Sequence, residues 1–135
     1  MISVCMATYN GEKYIKEQLS SILSQLSEKD EIIVSDDSST DKTVEIIESF
    51  QDKRIKILKK NKFRQPNLNF ENALKYSKGD IIFLSDQDDV WVENKVEIIL
   101  NQLKKYDLIV SDAFITNEKL NITNESLFSE VNSNI

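Results

Sequence analysis

Two clusters of carboxylates stand in the sequence where short apolar segments end. They comprise Asp36, Asp37, Asp86, Asp88 and Asp89. Side chains that follow successive parallel strands meet at one edge of a sheet, where these carboxylates would repel one another and attract a cation. Because the chain has no histidine, the ligand set is all oxygen, which favours Mg²⁺ or Mn²⁺. Such ions complete their coordination with substrate phosphates, so the pattern predicts a metal-bridged diphosphate in a cleft shared by Asp37 and Asp88.

The composition limits the function classes that this chain can serve. Its 135 residues fit a single domain, and 17 Lys and Arg against 23 Asp and Glu give a net charge of −6, which disfavours nucleic acid as a partner. The lack of histidine excludes Ser-His-Asp and Cys-His catalysis, and the single cysteine, Cys5, excludes an intrachain disulfide. No apolar run reaches the ~20 residues of a membrane span, and the N-terminus is unlike a signal peptide. A cytoplasmic domain is therefore expected.

Alternating strand and helix patterns position the acidic clusters. Continuous apolar runs predict strands at residues 2–8, 31–35, 55–58, 81–84 and 108–110, with the fourth strand central in the sheet. Apolar residues at helical spacing predict four intervening helices, and the polar stretch 61–67, which holds the only proline, predicts a loop. This cadence is typical of an α/β fold with a mostly parallel sheet. A third polar cluster, Thr8, Tyr9 and Asn10, follows the first strand and reaches the same edge.

Each of these features also has a local structural explanation. Asp36 and Asp37 stand where carboxylates cap helices, and the segment that starts at Thr8 has the composition of a turn. The lysine-rich stretch 53–62 is typical of a solvated edge, and Trp91 suits packing as well as sugar stacking. The joint occurrence of polar clusters at three strand ends favours a binding site.

Two other α/β classes compete for this pattern. A receiver-type signalling domain, which accepts phosphate on an aspartate, needs its acidic pair after the first strand, whereas here the acids follow the second and fourth strands. A sugar nucleotidyltransferase needs a glycine-rich basic loop after the first strand. The two glycines of the chain, Gly11 and Gly79, exclude that loop and also the Walker and Rossmann phosphate loops.

Three segments together resemble the N-terminal part of a family 2 inverting glycosyltransferase with the GT-A fold. They read ISVCMATYNGEKYIKEQLSSILSQ, IIVSDDSSTDKTVEII and NFENALKYSKGDIIFLSDQDDVW, and the resemblance extends from residue 2 to about residue 112. The form SDQDDVW is similar to that of bacterial enzymes of surface-polysaccharide synthesis, including rhamnosyltransferases.

The resemblance implies a role for most of the polar residues at the sheet edge. Thr8 and Tyr9, with Asn10 beside them, would line the base pocket, and Asp37, next to Asp36, would accept a hydrogen bond from the pyrimidine imide. Asp86 and Asp88 match the DXD pair that contacts ribose and metal, and Asp89 would share the metal. Glu12 and Arg64 would lie near ribose, base or phosphate. The implied substrate-binding set is Thr8, Tyr9, Asn10, Glu12, Asp36, Asp37, Arg64, Asp86 and Asp88, and the implied metal ligands are Asp86, Asp88 and Asp89.

The same resemblance sets expectations for the whole protein. The donor would be a UDP- or dTDP-linked sugar, the acceptor a saccharide or lipid-linked saccharide, and the full-length protein would be membrane-associated. Residues 1–116 would form the nucleotide-sugar-binding domain, and 117–135 a tail or the start of a missing acceptor-binding half. Family members are roughly twice as long and carry the catalytic base in that half, where this chain offers only Glu118, Glu125 and Glu130. The chain is therefore expected to bind donor without transferring sugar.

Overall fold

A computed structural model describes the backbone of residues 1–132, and a four-stranded sheet lies within its first 96 residues. The strands are β1 (Ile2–Thr8), β2 (Glu31–Asp36), β3 (Ile55–Leu58) and β4 (Ile81–Ser85), and the helices that follow them are α1 (Ile15–Leu23), α2 (Thr43–Ser49), α3 (Pro66–Tyr76) and α4 (Lys95–Gln102). The strand order is β3-β2-β1-β4, and every pair is parallel. The predicted α/β fold with a mostly parallel sheet is confirmed.

The inner strands are buried on both faces, as their continuous apolar sequences predict. Three successive residues of β1 (Val4, Cys5 and Met6) and three of β2 (Ile32, Ile33 and Val34) are fully buried. Helix α3 packs against both strands, where Ala73 meets Cys5 and Ile33. Cys5 thus fills the core.

The register brings the carboxyl ends of the strands to one level. Thr8 of β1 is paired with Asp36 of β2, and Met6 of β1 is paired with Ser85 of β4. The polar segments that follow these strands therefore emerge side by side at one edge of the sheet.

Three details of the predicted fold are wrong. Strand β4 lies at an edge of the sheet rather than in its centre, and Leu84 on it is 61% exposed. Residues 108–110 form no strand, because a three-residue apolar run is too short to specify one without a partner, and Leu108 is 79% exposed. Pro66 begins α3 instead of lying in a loop, since proline suits the first helical turn.

The chain divides into two units, the first extending from Met1 to Val96 and the second from Glu97 onward. The second unit holds the rest of α4, a short antiparallel pair of strands, β5 (Ile115–Thr116) and β6 (Ile122–Asn124), and α5 (Leu127–Asn132). Within it, Asp112 accepts hydrogen bonds from Ser126 Oγ (2.6 Å) and Phe128 N (3.1 Å) at the start of α5. Among the described residues, no helix is long and apolar enough to cross a membrane.

Candidate functional site

A cleft of about 800 Å³ opens at the carboxyl ends of β1, β2 and β4, within the first unit. Its volume lies in the range of small-molecule sites, roughly 300–1,000 Å³. Its lining includes six of the predicted substrate-binding residues: Thr8, Tyr9, Asp37, Arg64, Asp86 and Asp88. The prediction that Asp37 and Asp88 face one cleft is confirmed.

The end of β1 forms the floor of this cleft and is held by its neighbours. The Thr8 carbonyl accepts hydrogen bonds from Asp37 N (3.0 Å) and Asn69 Nδ2 (3.2 Å). The Thr8 hydroxyl donates to Asp36 Oδ1 at 2.8 Å. Tyr9, the next residue, is 57% exposed and lines the cleft. The end of β1 therefore presents an exposed aromatic ring to the cleft.

Asp36 and Asp37 have different surroundings although they are adjacent. Asp36, the last residue of β2, is 1% exposed, and its carboxylate also accepts from Ser39 N (2.9 Å) and Ser39 Oγ (2.6 Å). It lies outside the cleft lining, because successive side chains of an extended segment point to opposite sides. In the structure Asp36 supports the end of β1 from outside the cleft, and its implied contact with substrate stays a prediction. Asp37 faces the cleft.

Asp37 also orders the segment that leads into α3. Its two carboxylate oxygens accept hydrogen bonds from Phe63 N and Arg64 N, both at 2.6 Å. Arg64 has a left-handed backbone with φ of 53°, and so has Ser38 beside Asp37, with φ of 61°. Non-glycine residues rarely adopt this conformation, and such residues concentrate at functional sites. The segment adds two cationic residues, Lys62 and Arg64, to the cleft lining.

Asn10 and Glu12 brace the neighbouring loop instead of lining the cleft. Asn10 Oδ1 accepts from Thr40 N at 2.8 Å, and Glu12 Oε2 accepts from Lys42 N at 2.9 Å. Both acceptors therefore fix the connection between β2 and α2. The implied contacts of these two residues with substrate stay predictions.

The acidic segment after β4, residues 86–89, borders two cavities. Asp86 and Asp88 line the main cleft, whereas Asp86 and Asp89 line a second cavity of about 270 Å³ together with Trp91 and Lys95. Desolvation raises the pKa of Asp86, and the negative charges of Asp89 and Asp88 raise it further. Desolvation and the charge of Asp88 raise the pKa of Asp89 in the same way. The three carboxylates are thus close enough to repel one another, which a cation would relieve.

The donor set suits a metal ion that is completed by a substrate. In the part of the chain that the structure describes, no three acidic or cysteine side chains converge as a ready-made metal cage. The implied metal ligands Asp86, Asp88 and Asp89 therefore stay a prediction. A small set of carboxylates fits Mg²⁺ or Mn²⁺, because these ions bind through one or two carboxylates and take their other ligands from phosphates and water.

Polar residues of α1 position the acidic segment. Gln18 Nε2 donates to Ser85 Oγ at 2.7 Å, and Ser21 Oγ accepts from Trp91 N at 3.0 Å. Gln25 accepts from Val96 N at 3.1 Å, one further turn along. Gln18 and Ser21 lie three residues apart on one face of α1, and Gln25 follows just beyond the end of the helix. One helix face therefore holds both ends of the segment that contains the carboxylates.

Sequence reasoning missed several residues of the cleft, among them Lys62, Gln65, Asn69 and Gln87. Lys62 belongs to the lysine-rich stretch that we interpreted as a solvated edge. Asn69 is 3% exposed on α3, and a polar residue at an apolar helix position is the signal that could have identified it. Gln87 lies between two aspartates and has no charge that would mark it as a site residue.

A comparison with protein-family models identifies the family of this chain. The family model described as Glycosyl transferase family 2 matches residues 3–131 of the chain. The chain belongs to glycosyl transferase family 2. This membership confirms the resemblance and sets aside the receiver and nucleotidyltransferase alternatives.

Two curated relatives of this glycosyltransferase chain are bacterial. UDP-Glc:alpha-D-GlcNAc-diphosphoundecaprenol beta-1,3-glucosyltransferase WfgD of Escherichia coli is 36% identical over 109 residues, covering 80% of this chain and 43% of the relative. The dTDP-rhamnosyl transferase RfbG of Shigella flexneri is 44% identical over 99 residues, covering 68% and 34%. The chain thus spans less than half the length of these relatives.

Solved structures share the fold. Staphylococcus aureus TarS in complex with UDP-GlcNAc has a TM-score of 0.71 and 29% identity, covering 78% of this chain and 32% of that chain. The mannosyltransferase PcManGT of Pyrobaculum calidifontis, in complex with GDP-Man and Mn²⁺, has a TM-score of 0.68 and 24% identity, covering 86% and 35%. The predicted GT-A fold is confirmed by these neighbours.

Proposed function

We propose that this chain is the donor-binding part of a glycosyltransferase that transfers sugar from a UDP- or dTDP-linked donor, with inversion, to a saccharide or lipid-linked acceptor of a bacterial surface polysaccharide. One observation carries the proposal: a single cleft joins Asp37 and Tyr9 to the carboxylates Asp86 and Asp88. A nucleoside diphosphate has the matching polarity, with a flat base at one end and anionic oxygens at the other.

The strand order supports binding of the base at Asp37 and Tyr9. Asp37 follows β2 and Asp86 follows β4, with β1 between them, so about 10 Å, two strand spacings, separates the two ends of the cleft. A carboxylate at the β2 end can accept a hydrogen bond from an imide N–H, which uracil and thymine both carry. The names of the relatives WfgD and RfbG specify UDP-Glc and a dTDP-linked sugar, both with such a base.

The phosphates would lie nearer Asp86 and Asp88. A divalent cation bound there, with Asp89 as a further ligand, would neutralise the charge that develops on the diphosphate leaving group. Lys62 and Arg64 line the same cleft and would attract the anionic donor to an otherwise acidic chain. We assign no catalytic base. Glu118 and Glu125 lie in the second unit, and the side chain of Glu130 is outside those described.

A thermal-shift series tests the proposal with UDP, CDP and no nucleotide, each with Mn²⁺ or with EDTA. We expect UDP with Mn²⁺ to raise the melting temperature, and EDTA to remove most of that shift. CDP should bind more weakly, because cytosine lacks the imide N–H that Asp37 would recognise. Asp88→Ala should abolish the Mn²⁺-dependent part, whereas Asp37→Ala should abolish the preference for UDP over CDP.

The matched control is Asp107→Ala, an exposed aspartate in the second unit, which should leave all shifts unchanged. Equal shifts in Mn²⁺ and EDTA would contradict the metal role. Equal shifts for UDP and CDP would contradict the base assignment, and the lack of any shift in the wild-type chain would contradict donor binding itself.

A further inference from the structure

The side-chain amide of Gln87 bonds both backbone groups of Tyr9. Gln87 Oε1 accepts from Tyr9 N at 3.0 Å, and Gln87 Nε2 donates to Tyr9 O at 3.1 Å. A primary amide directs its carbonyl oxygen and one of its N–H groups to the same side, as a strand residue does with its own C=O and N–H, so it can replace a neighbouring strand residue. The ladder between β1 and β4 ends at Met6 and Ser85. Gln87 therefore adds one more rung beyond the end of both strands.

Gly11 provides the space for this contact. A Cβ atom at Gly11 would lie 2.6 Å from Gln87 Cδ and closer still to Gln87 Oε1, and the three nearest atoms all belong to the Gln87 side chain. The φ angle of Gly11 is not positive. Glycine is thus required at this position to admit the glutamine amide rather than to permit an unusual backbone conformation.

The segment that receives this amide is otherwise held from the β2 side. The amides of residues 10, 11 and 12 donate to Ser39 Oγ (2.9 Å), Thr43 Oγ1 (2.7 Å) and Asp41 Oδ2 (3.1 Å), all in or beside the loop between β2 and α2. Of four successive amides, Tyr9 N alone is bonded by the segment after β4. Gln87 is therefore the link between the carboxylates that flank it and the backbone that carries the Tyr9 ring.

We propose that Gln87 is a positioning residue that couples the nucleoside subsite at Tyr9 to the metal subsite at Asp86 and Asp88, so that filling one subsite increases affinity at the other. This inference rests on the proposed function. Both hydrogen bonds are exposed to solvent, so a ligand that orders either segment spares the other ligand part of the ordering cost. The coupling is reciprocal by thermodynamic necessity.

Uridine is the probe that separates this coupling from direct metal–phosphate bonding, because it has no phosphate. NMR titrations would give the uridine affinity with saturating Mg²⁺ and with EDTA. The ratio of the two affinities is the coupling factor, which we expect to be about fivefold or more in the wild-type chain. In Gln87→Ala it should fall to about one, while UDP with Mg²⁺ still binds through the unchanged carboxylates.

Gly11→Ala provides the second arm, since its methyl group displaces the Gln87 amide. It should also abolish coupling, and adding it to Gln87→Ala should have no further effect on the ratio because the three atoms nearest to the added methyl group all belong to the Gln87 side chain. Gln102→Ala, an exposed glutamine in the second unit, should retain the wild-type ratio.

Three results would overturn the inference while leaving the proposed function intact. The first is an unchanged ratio in Gln87→Ala, and the second is a wild-type ratio of one when uridine and Mg²⁺ both bind. The third is a further fall of the ratio in the double variant. If the wild-type chain binds neither uridine nor UDP with Mg²⁺, the proposed function fails and the inference with it.

Discussion

The neighbouring carboxylates Asp36 and Asp37 should respond to the same substitution in opposite ways. Asp36 accepts three hydrogen bonds while 1% exposed, from Thr8 Oγ1, Ser39 N and Ser39 Oγ. In Asp36→Asn one oxygen can still accept from the two hydroxyls, but an NH₂ group faces Ser39 N–H. One charge-assisted bond is lost and two become neutral.

The expected loss of stability follows from these three bonds. Hydrogen bonds to charged groups contribute about 1.5–3 kcal/mol each and neutral ones about 1 kcal/mol, so even at the lower end of this range Asp36→Asn should lose about 2.5 kcal/mol of unfolding free energy. For a chain of this length, that corresponds to a fall of about 10 °C in melting temperature. Asp37→Asn should lose less, because water can reach its half-buried carboxylate and replace part of its two hydrogen bonds.

Urea denaturation and UDP titration in Mn²⁺ together test this contrast. Asp37→Asn should weaken UDP binding about tenfold or more, equivalent to about 1.4 kcal/mol. The folded fraction of Asp36→Asn should bind UDP with nearly wild-type affinity. A stable Asp36→Asn variant, or an Asp37→Asn variant with unchanged UDP affinity, would refute the division of roles between the two residues.

Two further predictions concern the stability and reactivity of the first unit. Hydrogen bonds from the Arg54 guanidinium hold the pKa of Asp52 at about 2, down from 3.8, so the paired carboxylate should stabilise the fold by about 2 kcal/mol above pH 4 and lose this contribution as the pH falls toward 2. Urea denaturation of the wild-type chain and Asp52→Asn from pH 2 to 6 measures it, and a pH-independent difference would contradict the pairing. Burial raises the pKa of the Cys5 thiol to about 11, so a thiol reagent at pH 8 should modify Cys5 only as the chain unfolds. Fast labelling of the native chain, with urea-unfolded chain as the control, would contradict the buried position.

The location of the site could be predicted from the sequence because two patterns indicated the same edge of the sheet. Apolar runs predicted buried strands, and polar clusters after them predicted one edge; Thr8, Asp37 and Asp88 do line one cleft. The different roles of Asp36 and Asp37 depend on where β2 ends, and a boundary error of one residue inverts the assignment.

Other features depend on information that no local pattern contains. The contact of Gln87 with Tyr9 joins residues 78 apart, and an amide between two aspartates has no charge that marks it. The position of β4 at the sheet edge depends on which residues pair beside it. The apolar sequence of β4 indicates burial but does not specify which strands pair with it.

The Asn10-Gly11 pair has a consequence for chemical ageing. In a flexible chain this dipeptide deamidates readily, because the glycine nitrogen attacks the asparagine side-chain carbonyl to close a succinimide. Here Gly11 N donates to Thr43 Oγ1 within the protein, and Asn10 Oδ1 accepts from Thr40 N. The nucleophile and its target are thus held in separate bonds, so the native fold protects a sequence that would degrade in the unfolded chain.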